Sequence, residues 1–172
     1  MVDTPGDVTS VLRRATLLVR DLDRSQAFYE GVFGLTLYAE LSVDLARVPF
    51  FPVGTKPRGG NGRFLILKGE NPLVGMIGLM ELCDPPLPEP DHDIRRLGIG
   101  SVALVLSTSN AEQAAAQVEE LGGTVLMPVT EARNLGDESG AFVPAKLFMA
   151  QDPDGYFLEV FEDIGTTVRT VT

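Results

Sequence analysis

The sequence is poor in the residues that most often carry metal and redox chemistry. It has one cysteine, one histidine and no tryptophan among 172 residues. The single Cys83 excludes an intramolecular disulfide, and the single His92 leaves no second imidazole to complete a metal pair. Because His92 lies in a polar, proline-rich stretch, we expect a solvated side chain there rather than an acid-base catalyst.

Positive charge and long apolar runs are also scarce. The 14 basic residues face 24 acidic ones, and the formal net charge of −10 repels phosphate backbones and anionic lipid surfaces. No run of apolar residues reaches the length of a membrane span, and the first residues lack the apolar segment of a signal peptide. We therefore expect a cytoplasmic protein with no nucleic-acid partner and no membrane association.

The apolar residues that are present suffice for one core, and their spacing begins with a strand-helix-strand unit. Apolar residues make up 44% of the chain. A strand pattern at 12–19 precedes a helix pattern that ends at Gly34, and a second strand pattern follows at 35–41. Asp23 is positioned to cap this helix, and Gly34 suits the left-handed conformation that ends one.

The second half of the chain repeats this unit. A strand pattern at 98–106 precedes a helix pattern with Ser109 as its expected cap, and that helix ends at Gly122. Arg14 precedes Gly34 by 20 residues, and Ser101 precedes Gly122 by 21. This agreement indicates an internal duplication.

Each unit is followed by further strand patterns rather than a second helix, so each half is a βαβββ module. The proline-rich stretch between the halves fits neither strand nor helix. We expect an α+β fold in which two modules form a cupped, mostly antiparallel sheet around a cleft. The expected organisation is an N-terminal tail at 1–11, a first module at 12–82, a linker at 83–97, a second module at 98–163 and a C-terminal tail at 164–172.

A tight turn at 151–157 joins the last two strands, with Gly155 at its positive-φ position. Asp152 and Asp154 lie in this turn, but the remaining ligands of a calcium loop are absent. A structural turn is the better interpretation.

Strand alternation predicts which side chains face the cleft. The expected cleft-facing residues are Arg14, Thr16 and Leu18 on the first strand, Ser101, Ala103 and Val105 on the fifth, and Phe157, Glu159 and Phe161 on the last.

The chain resembles the vicinal oxygen chelate superfamily, which includes glyoxalase I, bleomycin-resistance proteins and extradiol dioxygenases. The resemblance covers residues 12–163 and is carried by the segments at 17–35 and 98–104 and by the closing DPDGYFLEVFE. It implies a cleft for a small molecule and a homodimer.

In the metal-using members of that superfamily, four cleft residues on the first, fourth, fifth and eighth strands bind a divalent ion. The resemblance places these positions at Arg14, Glu81, Ser101 and Glu159, with Gly78 as the alternative on the fourth strand. An arginine carries a fixed charge and has no lone pair to donate, and serine is a poor ligand for zinc, nickel or iron. We therefore expect the usual metal site to be lost, with Glu81 and Glu159 acting in acid-base chemistry or pairing with Arg14.

Two connections are longer than the fold requires, at 43–62 and 131–144, and long connections often cover sites. The first contains Phe50 and Phe51 and could close on a partly apolar ligand, although a mobile flap or a dimer contact is an equal alternative. The expected ligand-binding residues are Arg14, Thr16, Ser101, Phe157, Phe50 and Phe51.

The leading hypothesis is a protein that binds a small, partly apolar molecule without the usual metal. It would sequester the molecule or turn it over by acid-base chemistry at Glu159 and Glu81. The alternative is a lyase or isomerase resembling lactoylglutathione lyase (glyoxalase I), in which Glu81 and Glu159 hold a divalent metal such as Zn, Ni, Mn or Fe. A catalytically silent dimerisation module is a third possibility.

Overall fold

Strands and helices follow one another in the order that the sequence pattern predicts. A computed structural model describes residues 12–47, 60–70, 75–84, 86–90, 93–135 and 142–164. The first module consists of β1 (Arg14–Leu18), α1 (Leu22–Phe33), β2 (Thr36–Asp44), β3 (Asn61–Lys68) and β4 (Met76–Asp84). The second consists of β5 (Ala103–Ser107), α2 (Ala111–Glu120), β6 (Thr124–Leu135), β7 (Phe142–Gln151) and β8 (Phe157–Asp163).

The two modules have the same sheet topology. The strand order is β1-β4-β3-β2 in the first sheet and β5-β8-β7-β6 in the second. The first and last strands of each module pair in parallel, while the other neighbours pair antiparallel. The expected α+β fold of two βαβββ modules is confirmed.

The start of α1 lies two residues earlier than the sequence pattern suggests. The N-cap is Asp21, whose carboxylate accepts a hydrogen bond from the Arg24 amide, so the prediction of Asp23 as the cap is wrong. Asp23 lies inside the first turn instead, where its negative charge interacts favourably with the positive end of the helix dipole. The helix ends as expected at Gly34, which has a φ of 64°.

The cap of α2 also differs by one residue from the expected one. Asn110 caps this helix by accepting a hydrogen bond of 2.9 Å from the Gln113 amide, so the prediction of Ser109 is wrong. Serine and asparagine are both strong N-cap residues, so composition alone does not decide between neighbours. Gly122 follows the helix with a φ of 85°, a conformation that favours glycine.

One hydrophobic core joins the two modules. One face of each sheet packs against the helices, and residues of both modules form a single buried cluster. Large members of this cluster include Phe28, Leu65 and Leu79 from the first module and Val118, Phe148 and Val160 from the second. A second cluster lies on the opposite face of the first sheet and contains Phe64, Ile66, Met76, Met80 and Leu82.

The connection expected at 131–144 is shorter than the sequence suggests. β6 continues to Leu135 and β7 begins at Phe142, so most of the predicted loop belongs to a hairpin. Of the described helices, none has the length and apolar character needed to cross a membrane.

Candidate functional site

Each sheet has a side that packs against the helices and an opposite side, called the open side here, which in the first sheet also carries the second buried cluster. The predicted cleft residues of β1 and β8 lie on the open sides. On β1, Arg14, Thr16 and Leu18 are exposed, whereas Leu17 is buried against the helices. On β8, Leu158 and Val160 belong to the shared core, so Phe157 and Glu159 face the other way. The predicted alternation of these two strands therefore agrees with the structure.

The internal symmetry of the fold gives the register of the fourth strand. β5 begins 89 residues after β1, and β8 begins 81 residues after β4. Thr16 pairs with Gly78 in the first sheet, and its counterpart Val105 pairs with Glu159 in the second. Gly78 is thus the first-module counterpart of Glu159, which favours the alternative register on the fourth strand.

Glu81, predicted to lie in the cleft, instead faces α1. Its carboxylate accepts a hydrogen bond of 3.3 Å from the Leu22 amide, in the first turn of that helix. Glu162 does the same in the second module, accepting a hydrogen bond of 2.7 Å from the Ala111 amide. A carboxylate at a helix N-terminus satisfies a free amide and favours the helix dipole. Glu81 is therefore a structural cap, and Glu81 and Glu159 are not brought together to share an ion.

Ser101, predicted on the fifth strand, lies two residues before β5. Its hydroxyl accepts a hydrogen bond of 3.0 Å from the Gly98 amide within the turn that leads into the strand. The counterpart of Arg14 on β5 is Ala103, because both are the first residue of their strand. By the internal symmetry of the fold, the fifth-strand position that matches Arg14 therefore holds an alanine, which has no donor atom.

The four positions do not fit a divalent cation. They carry Arg14, Gly78, Ala103 and Glu159, so only Glu159 can donate to a metal. The space beside Gly78 is filled, because a Cβ added there would lie 2.8 Å from the Phe64 ring. The Arg14 guanidinium lies over the same ring, 5.0 Å from its centroid. A cation and an aromatic ring thus occupy the first-module half of this region.

Arg14 and Glu159 do not pair as expected. Neither has an ion-pair partner among the residues that the structure describes, and the contact of Arg14 is with Phe64. Glu159 is half-buried on the open side of β8, beside Val105 and Met149. Across those same residues, no group of three or more His, Cys, Asp or Glu side chains is arranged to hold a metal.

A cavity of about 630 Å³ lies at the junction of the two modules. Its walls come from the end of β1, the end of β4, the linker, the turn before β5 and the start of β8. The apolar side chains of this wall include Leu18, Leu82, Leu87, Ile94, Val102 and Phe157. Leu18 and Phe157 lie on the open sides of their strands, but Arg14, Thr16 and Glu159 do not line the cavity.

One wall of the cavity is polar and centres on Arg20. The Arg20 guanidinium contacts Asp154 through Nη1 at 3.0 Å and Glu89 through Nη2 at 2.8 Å. Asp154 has a nearly buried side chain, which also accepts a hydrogen bond of 3.0 Å from the Ser25 hydroxyl. Hydrogen bonds to Arg20 lower the pKa of Glu89, and those to Glu89 and Asp154 raise the pKa of Arg20.

The turn at 152–156 attaches the second module to the first. The Tyr156 hydroxyl accepts a hydrogen bond from the Leu18 amide and donates one to the Leu18 carbonyl. The Tyr29 hydroxyl, buried in α1, donates to Asp152 over 2.9 Å. Asp152 also accepts from the Asp154 and Tyr156 amides, and these bonds shape the turn.

Burial dominates the titration of this turn. Asp152 is 3% exposed, and desolvation raises its pKa to about 6 despite the hydrogen bonds that favour its charged form. Desolvation and the nearby Asp152 also raise the pKa of Tyr29 well above its ordinary value. Both Tyr29 and Asp152 therefore keep their own protons to a higher pH than they would in water.

The predicted ligand-binding residues fall into three groups. Ser101 and Phe157 line the cavity, whereas Arg14 and Thr16 lie on the open side of β1. Phe50 and Phe51 lie outside the described residues, as does His92. Sequence reasoning missed the linker wall, although Leu87 and Ile94 are apolar residues within a stretch that is otherwise polar and proline-rich.

Comparisons with known proteins agree with this architecture. A family model described as Glyoxalase/Bleomycin resistance protein/Dioxygenase superfamily matches residues 11–160. No curated protein matches the sequence significantly.

Several solved structures share the fold. A glyoxalase family protein from Bacillus cereus matches with a TM-score of 0.64 at 14% identity, over 96% of this chain and 99% of that one. The protein UcmS2 matches with a TM-score of 0.54 at 17% identity, over 91% and 100%. Glyoxalase I from Zea mays matches with a TM-score of 0.56 at 22% identity, over 91% of this chain but 46% of its own length.

At these identities the structural matches show the fold alone, while the family match extends over most of the chain. The chain belongs to the Glyoxalase/Bleomycin resistance protein/Dioxygenase superfamily.

Proposed function

We propose that this protein binds a small, partly apolar molecule in the cavity between its two modules, without a metal. The observation that supports this function is the cavity itself, whose volume of about 630 Å³ is within the range of small-molecule sites. Its walls are mostly apolar, and its polar groups include Arg20 with its two carboxylate partners, together with Arg96 and Ser101. Such a site takes up an apolar body and orients it through a few polar contacts.

Binding is favoured over a reaction catalysed by two carboxylates. Glu81 is engaged at the start of α1, so it is not available as the partner of Glu159 in proton transfer. Glu159 follows Phe157 by two residues on the same side of β8, and Phe157 lines the cavity. Glu159 does not line the cavity itself, so only a molecule that extends beyond it along β8 could exchange a proton with this carboxylate.

A titration with anilinonaphthalene sulfonate, a fluorescent probe with an apolar body, tests this function. Val102 lines the cavity and is 52% exposed, so Val102→Trp narrows the site with little effect on the core. Leu126→Trp is the matched control, because Leu126 is 44% exposed and does not line the cavity. We expect Val102→Trp to weaken probe binding about tenfold, which corresponds to about 1.4 kcal/mol, and the control to leave it unchanged. Equal affinities in both variants would contradict the proposed site.

A further inference from the structure

In the polar wall of the cavity, Arg20 contacts two carboxylates that differ strongly in their exposure to solvent. Asp154 is fixed, since its side chain is 7% exposed and is held by Ser25 as well as by Arg20. Glu89 is 76% exposed on the linker, and its carboxylate contacts the Arg20 guanidinium. One partner of the guanidinium is therefore nearly buried and held by a second residue, and the other is exposed on the surface.

The nearly buried partner orients Arg20. Asp154 accepts from both the Arg20 amide, at 3.1 Å, and Nη1, at 3.0 Å. This leaves the edge formed by Nε and Nη2, which is the edge that a carboxylate contacts with two oxygens. Glu89 occupies that edge, with Nε at 3.3 Å from each carboxylate oxygen and Nη2 at 2.8 Å from Oε2.

We propose that Arg20 is the anchor for a carboxylate group of the cavity's ligand, and that Glu89 occupies this anchor until the ligand displaces it. The inference rests on the proposed function, because it names the chemical class of the molecule bound there. The ligand is an apolar carboxylic acid in its ionised form, with its apolar body beside residues such as Leu87 and Phe157.

The exchange needs little rearrangement. Glu89 is flanked by Pro88 and Pro90, which restrict the backbone on both sides of it. Rotation of the Glu89 side chain into solvent is therefore sufficient to free the guanidinium edge. Exposed ion pairs contribute little to stability, whereas an incoming carboxylate with an apolar body also removes apolar surface from water. The binding of the ligand is thus favoured by apolar burial, which the Glu89 side chain does not provide.

The test compares naphthoate with its neutral amide, naphthamide, by isothermal titration calorimetry on the full chain. We expect the wild type to prefer naphthoate and Glu89→Gln to increase naphthoate affinity about fivefold without changing naphthamide affinity. Glu131→Gln is the matched control, since Glu131 is an exposed acid outside the cavity and its loss changes the net charge equally. A similar gain in the control would show a long-range charge effect and overturn the inference.

Variants of Arg20 complete the test. Arg20→Gln and Arg20→Lys are both expected to lower naphthoate affinity about tenfold, a larger loss than either variant causes for naphthamide. Lysine keeps a positive charge beside Asp154 but lacks the two-nitrogen edge of the guanidinium. Arg20→Lys therefore tests the loss of the carboxylate anchor while the ion pair that supports the fold is kept. Equal binding of the two probes in the wild type and in Glu89→Gln would overturn the inference, as would unchanged naphthoate affinity in Arg20→Lys. If naphthamide binding is also insensitive to Val102→Trp, the proposed site itself fails; if Val102→Trp blocks it, only the carboxylate anchor fails.

Discussion

The two modules share a backbone plan but differ at matching positions on their open sides. Each has a strand glutamate that caps its helix, Glu81 in the first module and Glu162 in the second. On the open sides, Arg14 in the first module corresponds to Ala103 in the second, and Gly78 in the first corresponds to Glu159 in the second. The contacts that build the fold are thus duplicated, whereas the positions available for chemistry have diverged.

The modules also differ in how they contribute to their junction. The second module supplies the turn at 152–156, which bonds to β1 and α1 of the first through Tyr156, Asp152 and Asp154. The first module supplies Arg20 and the buried Tyr29 as partners. The junction is therefore asymmetric, and so is the cavity that it encloses.

The largest expected effect concerns this asymmetric junction and is pH dependent. The pKa of Asp152 is raised from 3.8 to about 6 in the folded protein, so the folded state holds this proton more tightly than the unfolded state. The stabilising contribution is complete below about pH 4 and is lost as the pH rises through about 6, a change of about 3 kcal/mol. Asp152→Asn removes this titration. We expect the free energy of unfolding of Asp152→Asn, relative to wild type, to increase by about 3 kcal/mol between about pH 3 and about pH 7 in urea unfolding.

Glu70→Gln provides the control for that experiment, because Glu70 is exposed and outside the turn. Its difference from wild type should not change over the same pH range. A flat difference for Asp152→Asn as well would mean that the Asp152 carboxylate is hydrated in solution.

A smaller effect tests whether the two helix caps are equivalent. Glu162→Gln and Glu81→Gln keep an acceptor oxygen but remove the charge that favours the helix N-terminus. We expect losses of about 1 kcal/mol for Glu162, whose bond is the shorter, and about 0.5 kcal/mol for Glu81, measured by urea unfolding at neutral pH. Unchanged stability with weakened probe binding in Glu81→Gln would instead return Glu81 to the ligand site.

The smallest expected effect is the response to divalent metals, which tests the divergence of the open sides. A metal present at a hundredfold excess over its Kd stabilises a protein by about 2.7 kcal/mol, or roughly 5–10 °C for a domain of this size. Because three of the four positions lack a usable donor, we expect Ni²⁺, Zn²⁺ or Mn²⁺ to shift the Tm by less than about 1 °C. Stoichiometric metal in the purified protein that is lost in Glu159→Gln would support the metal-dependent alternative.

The fold was accessible from sequence because its signals are local and repeated. Element boundaries are indicated by the apolar spacing, by the glycine after α1 and by the proline-rich linker. Because the chain is duplicated, the pattern of one half also supports the assignment of elements in the other. The predicted N-caps of the two helices are wrong because several side chains that can cap a helix lie close together at the start of each one.

The site was less accessible because it depends on register and on distant contacts. Side chains an odd number of residues apart on a strand lie on opposite faces, so Glu81, three residues after Gly78, lies on the face toward α1, although the family pattern predicts it in the cleft. The anchor at Arg20 depends on Asp154, which lies 134 residues away in sequence, and no local pattern indicates that contact.

The filled space beside Gly78 also has a consequence for variation among relatives. A side chain at position 78 would meet the Phe64 ring and the Thr16 hydroxyl, so the ring would have to move or be replaced by a smaller side chain. Substitutions at 64 and 78 are therefore expected to be epistatic. Relatives with a carboxylate at 78 should lack a large aromatic residue at 64, and the two positions should co-vary.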